Sequence, residues 1–187
     1  MADQGSEGLI SPLLRNRRLY VAKPHLNGRV LDVGCGSGTL AQEVSPDHYL
    51  GVDIDPVSLG LAREAYPQHD FVNQLPELTE KFDTIVSLAV IEHVVDPEKF
   101  LKDLAKHLNL SASAKIVVTT PHPSMDWVHD LGSKIGLFSS HANEEHEHLL
   151  DWTDLSRAGQ KAGLRMTHYR RFMFGANQLA LYMRLKA

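Results

Sequence analysis

The chain has 187 residues, 43% hydrophobic and 22% charged, with a formal net charge of −4 at pH 7. That size suits one domain with a continuous core, and so ordinary a composition excludes disordered and fibrous classes. A pI near 6.2 argues against the basic stripe that neutralises nucleic-acid phosphates, so no nucleic-acid partner is expected.

The single cysteine, Cys35, cannot form an internal disulfide. The stretch MADQGSEGLISPLL lacks the charged and apolar regions of a secretory leader, and no run approaches the ~20 apolar residues of a membrane span. The expectation is a soluble, cytoplasmic monomer or homodimer with no membrane partner.

In chain order, residues 1–27 form an N-terminal helical segment in which Leu13, Leu14, Tyr20 and Val21 share a stripe beside Arg15, Arg17 and Arg18. RVLDV (29–33) reads as a short buried strand running into glycines, and YLGVD (49–53) as another ending in a carboxylate. Asp55-Pro56 and Asp96-Pro97 are matched helix starts, since Asp caps free N–H groups and Pro suits the first helical position. After the second start, Phe100, Leu101, Leu104 and Leu108 make one apolar face. DFVN (70–73), FDTIVSL (82–88) and AKIVVTT (114–120) extend an alternation of strand and helix that implies a parallel α/β sheet covered on both faces.

From Pro121 to Asp151 the pattern loosens, and residues 122–151 read as a lid or acceptor-site insertion within a single domain spanning 1–187. Helix signals resume with Thr153 as N-cap and Gly163 as the stop. Strands around LRMTHYR (164–170) and LALYMRL (179–185) close the chain as a hairpin through Gly175-Ala176-Asn177.

The chemistry is concentrated in Val30-Leu31-Asp32-Val33-Gly34-Cys35-Gly36-Ser37-Gly38-Thr39, followed by Val52-Asp53. Glycines are needed where backbone turns sharply against a ligand, because a Cβ would occupy the ligand's volume, and the helix after the loop would add its N-terminal amides. Asp53 stands where a carboxylate at the second strand tip accepts ribose hydroxyls. A dinucleotide fingerprint requires glycine at position 39, which is Thr39. Asp32 would also repel a pyrophosphate, whereas it suits an amino-acid ammonium near a sulfonium.

LDVGCGSGT, GVDIDP, FDTIVSLAVIEHVVDP and a strand ending VVTTP resemble, in that order, the motifs of class I S-adenosylmethionine (SAM)-dependent methyltransferases, in particular the ubiquinone-biosynthesis O-methyltransferase subgroup. The resemblance covers residues 28–121 strongly and His146 to Phe174 loosely. It implies a Rossmann-like, doubly wound sheet of seven strands, mostly parallel with an antiparallel last strand. SAM would be the methyl donor and S-adenosylhomocysteine the product. Asp32, Gly34, Gly36 and Gly38, with Cys35 between them, would hold the methionine end. Asp53 would bind the ribose and Ile54 flank the adenine, while Leu88, Ala89, Val90 and His93 would line the site. Where the family often has an aspartate facing adenine, this chain has Asn73 and Gln74.

Methyl transfer is an in-line displacement in which positioning dominates, and a base is needed mainly for a high-pKa hydroxyl. His93, His122 and His148 are the catalytic candidates, with His146 beside them. His93 reads first as a loop-fixing residue touching the cofactor and second as a base, while His122 reads equally as a pocket residue and as a loop histidine with one backbone bond. His141, His146, His148, Glu144, Glu145 and Glu147 follow no metal-ligand spacing, so no metal is expected. Trp127 and Trp152, with Met125, Leu131, Ile135, Leu137 and Phe138, form either an apolar acceptor wall or core packing. Ala89-Val90-Ile91-Glu92 stands where base-methylating enzymes carry an Asn/Asp-Pro-Pro motif, which turns the reading toward a small-molecule acceptor, with O-methylation favoured. A protein methyltransferase and a SAM-binding protein without turnover remain the alternatives.

Overall fold

The computed structural model describes residues 11–125 and 149–185. Helix α1 (Ser11–Ala22) leads into β1 (Val30–Val33), β2 (Tyr49–Val52), α2 (Pro56–Ala65), β3 (Asp70–Val72), β4 (Thr84–Leu88), α3 (Pro97–His107) and β5 (Lys115–Pro121). Helix α4 (Trp152–Lys161), β6 (Leu164–Phe172) and β7 (Asn177–Arg184) follow. The seven strands form one sheet in the order β3-β2-β1-β4-β5-β7-β6. β1 to β5 pair in parallel, and β7 runs antiparallel to both β5 and β6. The sequence pattern fits this architecture: alternation gives the parallel core, and the closing hairpin supplies the antiparallel pair. The chain winds outward from β1 to β3 and then returns to β4 on the other side of β1, so the strand order reverses beside β1.

Strand periodicity builds two cores. Leu31, Val33, Ile85, Ile116, Val118, Ala180 and Tyr182 face α3 and α4. Val30, Val86, Val117, Leu179 and Leu181 face α1 and α2. Alternate residues of one strand thus feed opposite layers. The Tyr182 hydroxyl donates to the Leu155 carbonyl at 3.0 Å. Its ring lies where a Cβ on Gly159 would come within 2.6 Å, so α4 approaches β7 closely because that helix position is bare.

Local signals hold in detail at three helix ends. The Asp55 carboxylate accepts from the Val57 and Ser58 amides, and Asp96 from Lys99. Gly163 ends α4 with φ +77°. Elsewhere the structure differs from the expectation. Asp151, not Thr153, caps α4, because Asp151 and Asp154 accept each other's backbone N–H in a reciprocal box. Leu13 and Tyr20 are exposed, while Leu19, Val21 and Ala22 are the buried face of α1. The glycine loop enters only a short 3-10 helix, Thr39–Glu43, too short to sum a useful dipole. No helix separates β3 from β4 among the described residues. None of the described helices is long and apolar enough to cross a membrane.

Candidate active site

The loop after β1 is folded onto the tip of β2. The Gly34 and Cys35 amides both donate to the Val52 carbonyl, at 2.8 and 3.0 Å, and Gly38 donates to the Cys35 carbonyl at 2.9 Å. Gly34, Gly36 and Gly38 all have positive φ, which L side chains rarely adopt. Their neighbours nevertheless differ. A Cβ on Gly34 would strike the Val90 side chain, and one on Gly38 the Phe71 ring, whereas one on Gly36 would meet nothing within 4 Å. Only Gly36 is bare toward open space. At Gly34 and Gly38 the missing Cβ also makes room for the packing of Val90 and Phe71.

Asp53 ties this loop to β2. One carboxylate oxygen accepts from the Gly36 amide at 2.7 Å, the other from the Asp55 amide at 2.9 Å. Each oxygen keeps a lone pair for a ribose hydroxyl. Asp32 is 3% exposed and accepts from the Tyr49 hydroxyl at 2.8 Å. Burial pushes its carboxyl up to about 7; the Tyr49 bond pulls downward, and the nearby Asp53 charge raises it further. Cys35 is buried, and desolvation followed by the Asp32 and Asp53 charges drives its thiol far above the ordinary range. A thiol so held in its protonated form is a poor nucleophile.

A cavity of about 420 Å³ opens at this loop. Asp32, Gly34, Cys35, Gly36 and Ser37 line one side, Ser58 and Leu61 of α2 and Leu88 of β4 add to it, and α1 contributes Leu14, Arg15 and Arg18. The two arginines are three residues apart and so share a helix face. That spacing was the available sign of a cationic wall opposite Asp32, and the sequence reading did not use it for Arg15. Arg18 is fixed from below, its Nε donating to Asn177 Oδ1 at 3.0 Å.

The other expected residues sit around this centre. Ile54 is 88% exposed just past β2. Asn73 and Gln74 are exposed just past β3, next to Asp53, whose amide donates to the Val72 carbonyl at 3.2 Å. Ala89 has φ +60° and donates to the Thr119 carbonyl at 2.8 Å, which turns the chain so that Val90 fills the space left by Gly34. His93 is exposed at the end of a short 3-10 turn, Ile91–His93. Its neighbour Glu92, missed by the sequence reading, is buried and accepts from the Thr120 hydroxyl at 2.8 Å. Burial raises its carboxyl, opposed in part by its backbone and Thr120 hydrogen bonds and then by the Arg18 and His93 charges.

His122 belongs to a different group of contacts. Its backbone N–H donates to Ala176, and its Nδ1 accepts from the Ser124 amide at 3.0 Å. Arg171 donates to the Ser124 hydroxyl. Burial and then the Arg171 charge lower its pKa, while Asp151 opposes them. With Nδ1 committed as acceptor, the ring proton sits on Nε2, so His122 here is a donor, and acting as a base would require the other tautomer. His141, Glu144, Glu145, His146, Glu147 and His148 lie outside the described residues, as do Trp127, Leu131, Ile135, Leu137 and Phe138. Trp152 begins α4 and is half exposed. No group of three or more His, Cys, Asp and Glu side chains is placed to hold a metal among the described residues.

A mostly parallel sheet in this strand order, a glycine loop after β1 and a carboxylate at the tip of β2 define a protein that holds a nucleoside at the carboxyl edge of its sheet. Residues 7–169 match the family described as "Methyltransferase domain", and the chain belongs to that family. It is a SAM-dependent methyltransferase by membership, and SAM is its cofactor. The ubiquinone biosynthesis O-methyltransferase of Aeromonas salmonicida (strain A449) is 24% identical over 83% of this chain and 74% of its own length. The protein of the same name from Ruegeria pomeroyi is 31% identical over 46% of this chain, which spans only 39% of that relative's length. In structure, the magnesium protoporphyrin IX methyltransferase of Synechocystis PCC 6803, crystallised with S-adenosylhomocysteine, superposes with a TM-score of 0.69 at 18% identity. The match covers 97% of this chain and 90% of that one.

Proposed function

We propose that the protein transfers the methyl group of SAM to a small-molecule acceptor, with an oxygen as the favoured methylated atom. The observation that carries this is the bare face of Gly36, held by the Asp53 carboxylate at the mouth of a cavity with a buried carboxylate on one wall and arginines on another. Asp32 would face the ammonium and Arg15 or Arg18 the carboxylate of the methionine end. Gly34, Cys35, Gly36 and Gly38 would shape the backbone against it. The spare lone pairs of Asp53 would take the ribose hydroxyls, Ile54 would cover the adenine, and Asn73 and Gln74 would reach its edge. Leu88, Ala89, Val90 and His93 would border the methyl group.

When bound, SAM supplies a methyl on a positively charged sulfur; the chain supplies position and dryness. Holding an acceptor atom about 3 to 3.5 Å from its target recovers roughly 7 to 11 kcal/mol of barrier, more than a base contributes. The acceptor would enter above β4 and β5, with His93 or His122 offering a polar contact. The chain is read as one domain, with 122–151 as the acceptor-site segment. The name shared by the curated relatives supports an oxygen acceptor.

The test is turnover. Protein incubated with SAM and a metabolite library containing phenols and catechols should release S-adenosylhomocysteine with at least one hydroxylated acceptor. Tight SAM binding without product across that library would move the reading to a binding protein, and product only with peptides would move it to protein methylation.

A further inference from the structure

We propose that Tyr49 is a positioning residue for the cofactor. Its hydroxyl aims the Asp32 carboxyl into the cavity, where Asp32 holds a proton that the ammonium end of the methyl donor displaces on binding. The inference rests on the cofactor reading above and adds to it a residue and a proton.

The geometry begins with register. Asp32 on β1 pairs with Gly51 on β2, and Val30 with Tyr49, so Tyr49 and Asp32 lie diagonally on the same sheet face. The phenol must cross Gly51 to reach the carboxylate. A Cβ at position 51 would stand 3.0 Å from the Tyr49 oxygen and closer still to the Phe71 ring, so the bare residue keeps the crossing open. The Tyr49 ring is fixed edge-on by His69 and Phe71, with centroids at 5.4 and 5.7 Å. His69 is itself bonded to the Val44 carbonyl at 2.9 Å. Burial holds the phenol well above its ordinary pKa, so it remains a donor.

The charges around Asp32 explain the proton. From β2 and the segment after it come Tyr49 and Asp53; from the loop comes the Cys35 thiol, itself un-ionised. Arg63 of α2 donates to the Phe71 carbonyl, and Arg15 and Arg18 stand on the α1 wall of the cavity. β4 brings only Leu88 to the lining. Asp32 thus has a like charge nearby and one neutral donor, which favours its protonated form near neutrality. A ligand ammonium supplies the missing opposite charge. The Asp32 O–H bond then breaks, the proton passes to buffer, and the carboxylate keeps the Tyr49 hydrogen bond.

The experiment is calorimetric titration with S-adenosylhomocysteine, which carries the ammonium and cannot react. In phosphate and Tris at pH 7 the wild type should show different heats, equivalent to roughly half a proton released per site. Its affinity should be level near pH 8 and fall toward tenfold per pH unit below about 6.5. Tyr49→Phe should move that falling limb to higher pH, so the variant's deficit is largest below pH 7 and closes toward pH 9. Asp32→Asn should bind more weakly, without proton release or pH dependence. Equal wild-type heats in both buffers would overturn the proposal, as would parallel pH profiles for wild type and Tyr49→Phe. The buffer comparison needs no variant to fold. No binding at any pH would instead overturn the cofactor reading beneath it.

Discussion

The two halves of the carboxyl edge are built in different ways. Over β1 and β2 the pocket is made by neighbours in sequence: the loop from Gly34 to Gly38, the Asp53 carboxylate seventeen positions beyond Gly36, and Tyr49 reaching Asp32 across one strand. Over β5 and β7 it is made by residues far apart in the chain. Arg18 bonds Asn177 across 159 positions, and the Gln178 amide donates to the carbonyls of both Pro121 and Leu150. Those carbonyls stand on either side of residues 122–149. On the proposed reading, the half that would hold the cofactor is thus mainly a local motif, while the half that would face the acceptor hangs on long-range polar ties.

Substitutions should separate the halves. The largest effect is expected at Asp53→Ala, which removes the carboxylate from the ribose position and from the Gly36 amide. Charge-assisted bonds are each worth about 1.5 to 3 kcal/mol, so affinity for S-adenosylhomocysteine should fall at least about 100-fold by calorimetry. Within the loop, Gly36→Ala and Gly38→Ala share the strain of a positive φ but should fail differently. The first places side-chain atoms in open space, so binding should be lost with a smaller change in melting temperature. The second drives a Cβ to 2.9 Å from the Phe71 ring, so stability should fall by about 1 to 3 kcal/mol in a denaturant titration.

Asp32→Asn should act in opposite directions on stability and binding. The Asp32 carboxyl is raised from 3.8 to about 7 in the fold. Its contribution is therefore complete below pH 3.8 and is lost as pH rises through about 7, a span worth about 4 kcal/mol. Without cofactor, the variant should gain on the wild type in melting temperature between pH 5 and pH 8. A difference that stays constant across that range would mean that Asp32 is ionised throughout.

In the other half, Gln178→Ala leaves two carbonyls without their donor and should reduce stability by about 1 to 3 kcal/mol. Acceptor KM should rise, and S-adenosylhomocysteine affinity should be unchanged. The smallest effect is expected at His122→Ala, with cofactor affinity again unchanged and kcat lowered about tenfold if its Nε2 proton meets the acceptor. An equal loss of cofactor affinity in either variant would erase the distinction between the halves.

Legibility in the sequence follows the same division. The strand segments along the chain, both Asp-Pro caps and the Gly163 stop could be read because each depends on residues within a few positions. Gly36 and Asp53 were legible for the same reason. The reasons for Gly34 and Gly38 were not, because Val90 and Phe71 approach them only in three dimensions. Tyr49 and Glu92 escaped notice because a buried Tyr in a short strand reads as core, and a Glu beside His93 reads as a surface charge. The α1 stripe is out of phase with the structure because the helix turns to both the sheet and the cavity: Leu19 serves both surfaces, while Leu13 and Tyr20 are exposed.

The most direct measurement is a crystal structure with S-adenosylhomocysteine bound. The expected result is a ligand lying against Gly36, its ribose hydroxyls within hydrogen-bond reach of both Asp53 oxygens and its ammonium facing Asp32. A ligand bound elsewhere, with the Asp53 carboxylate still engaged only by the Gly36 and Asp55 amides, would contradict it.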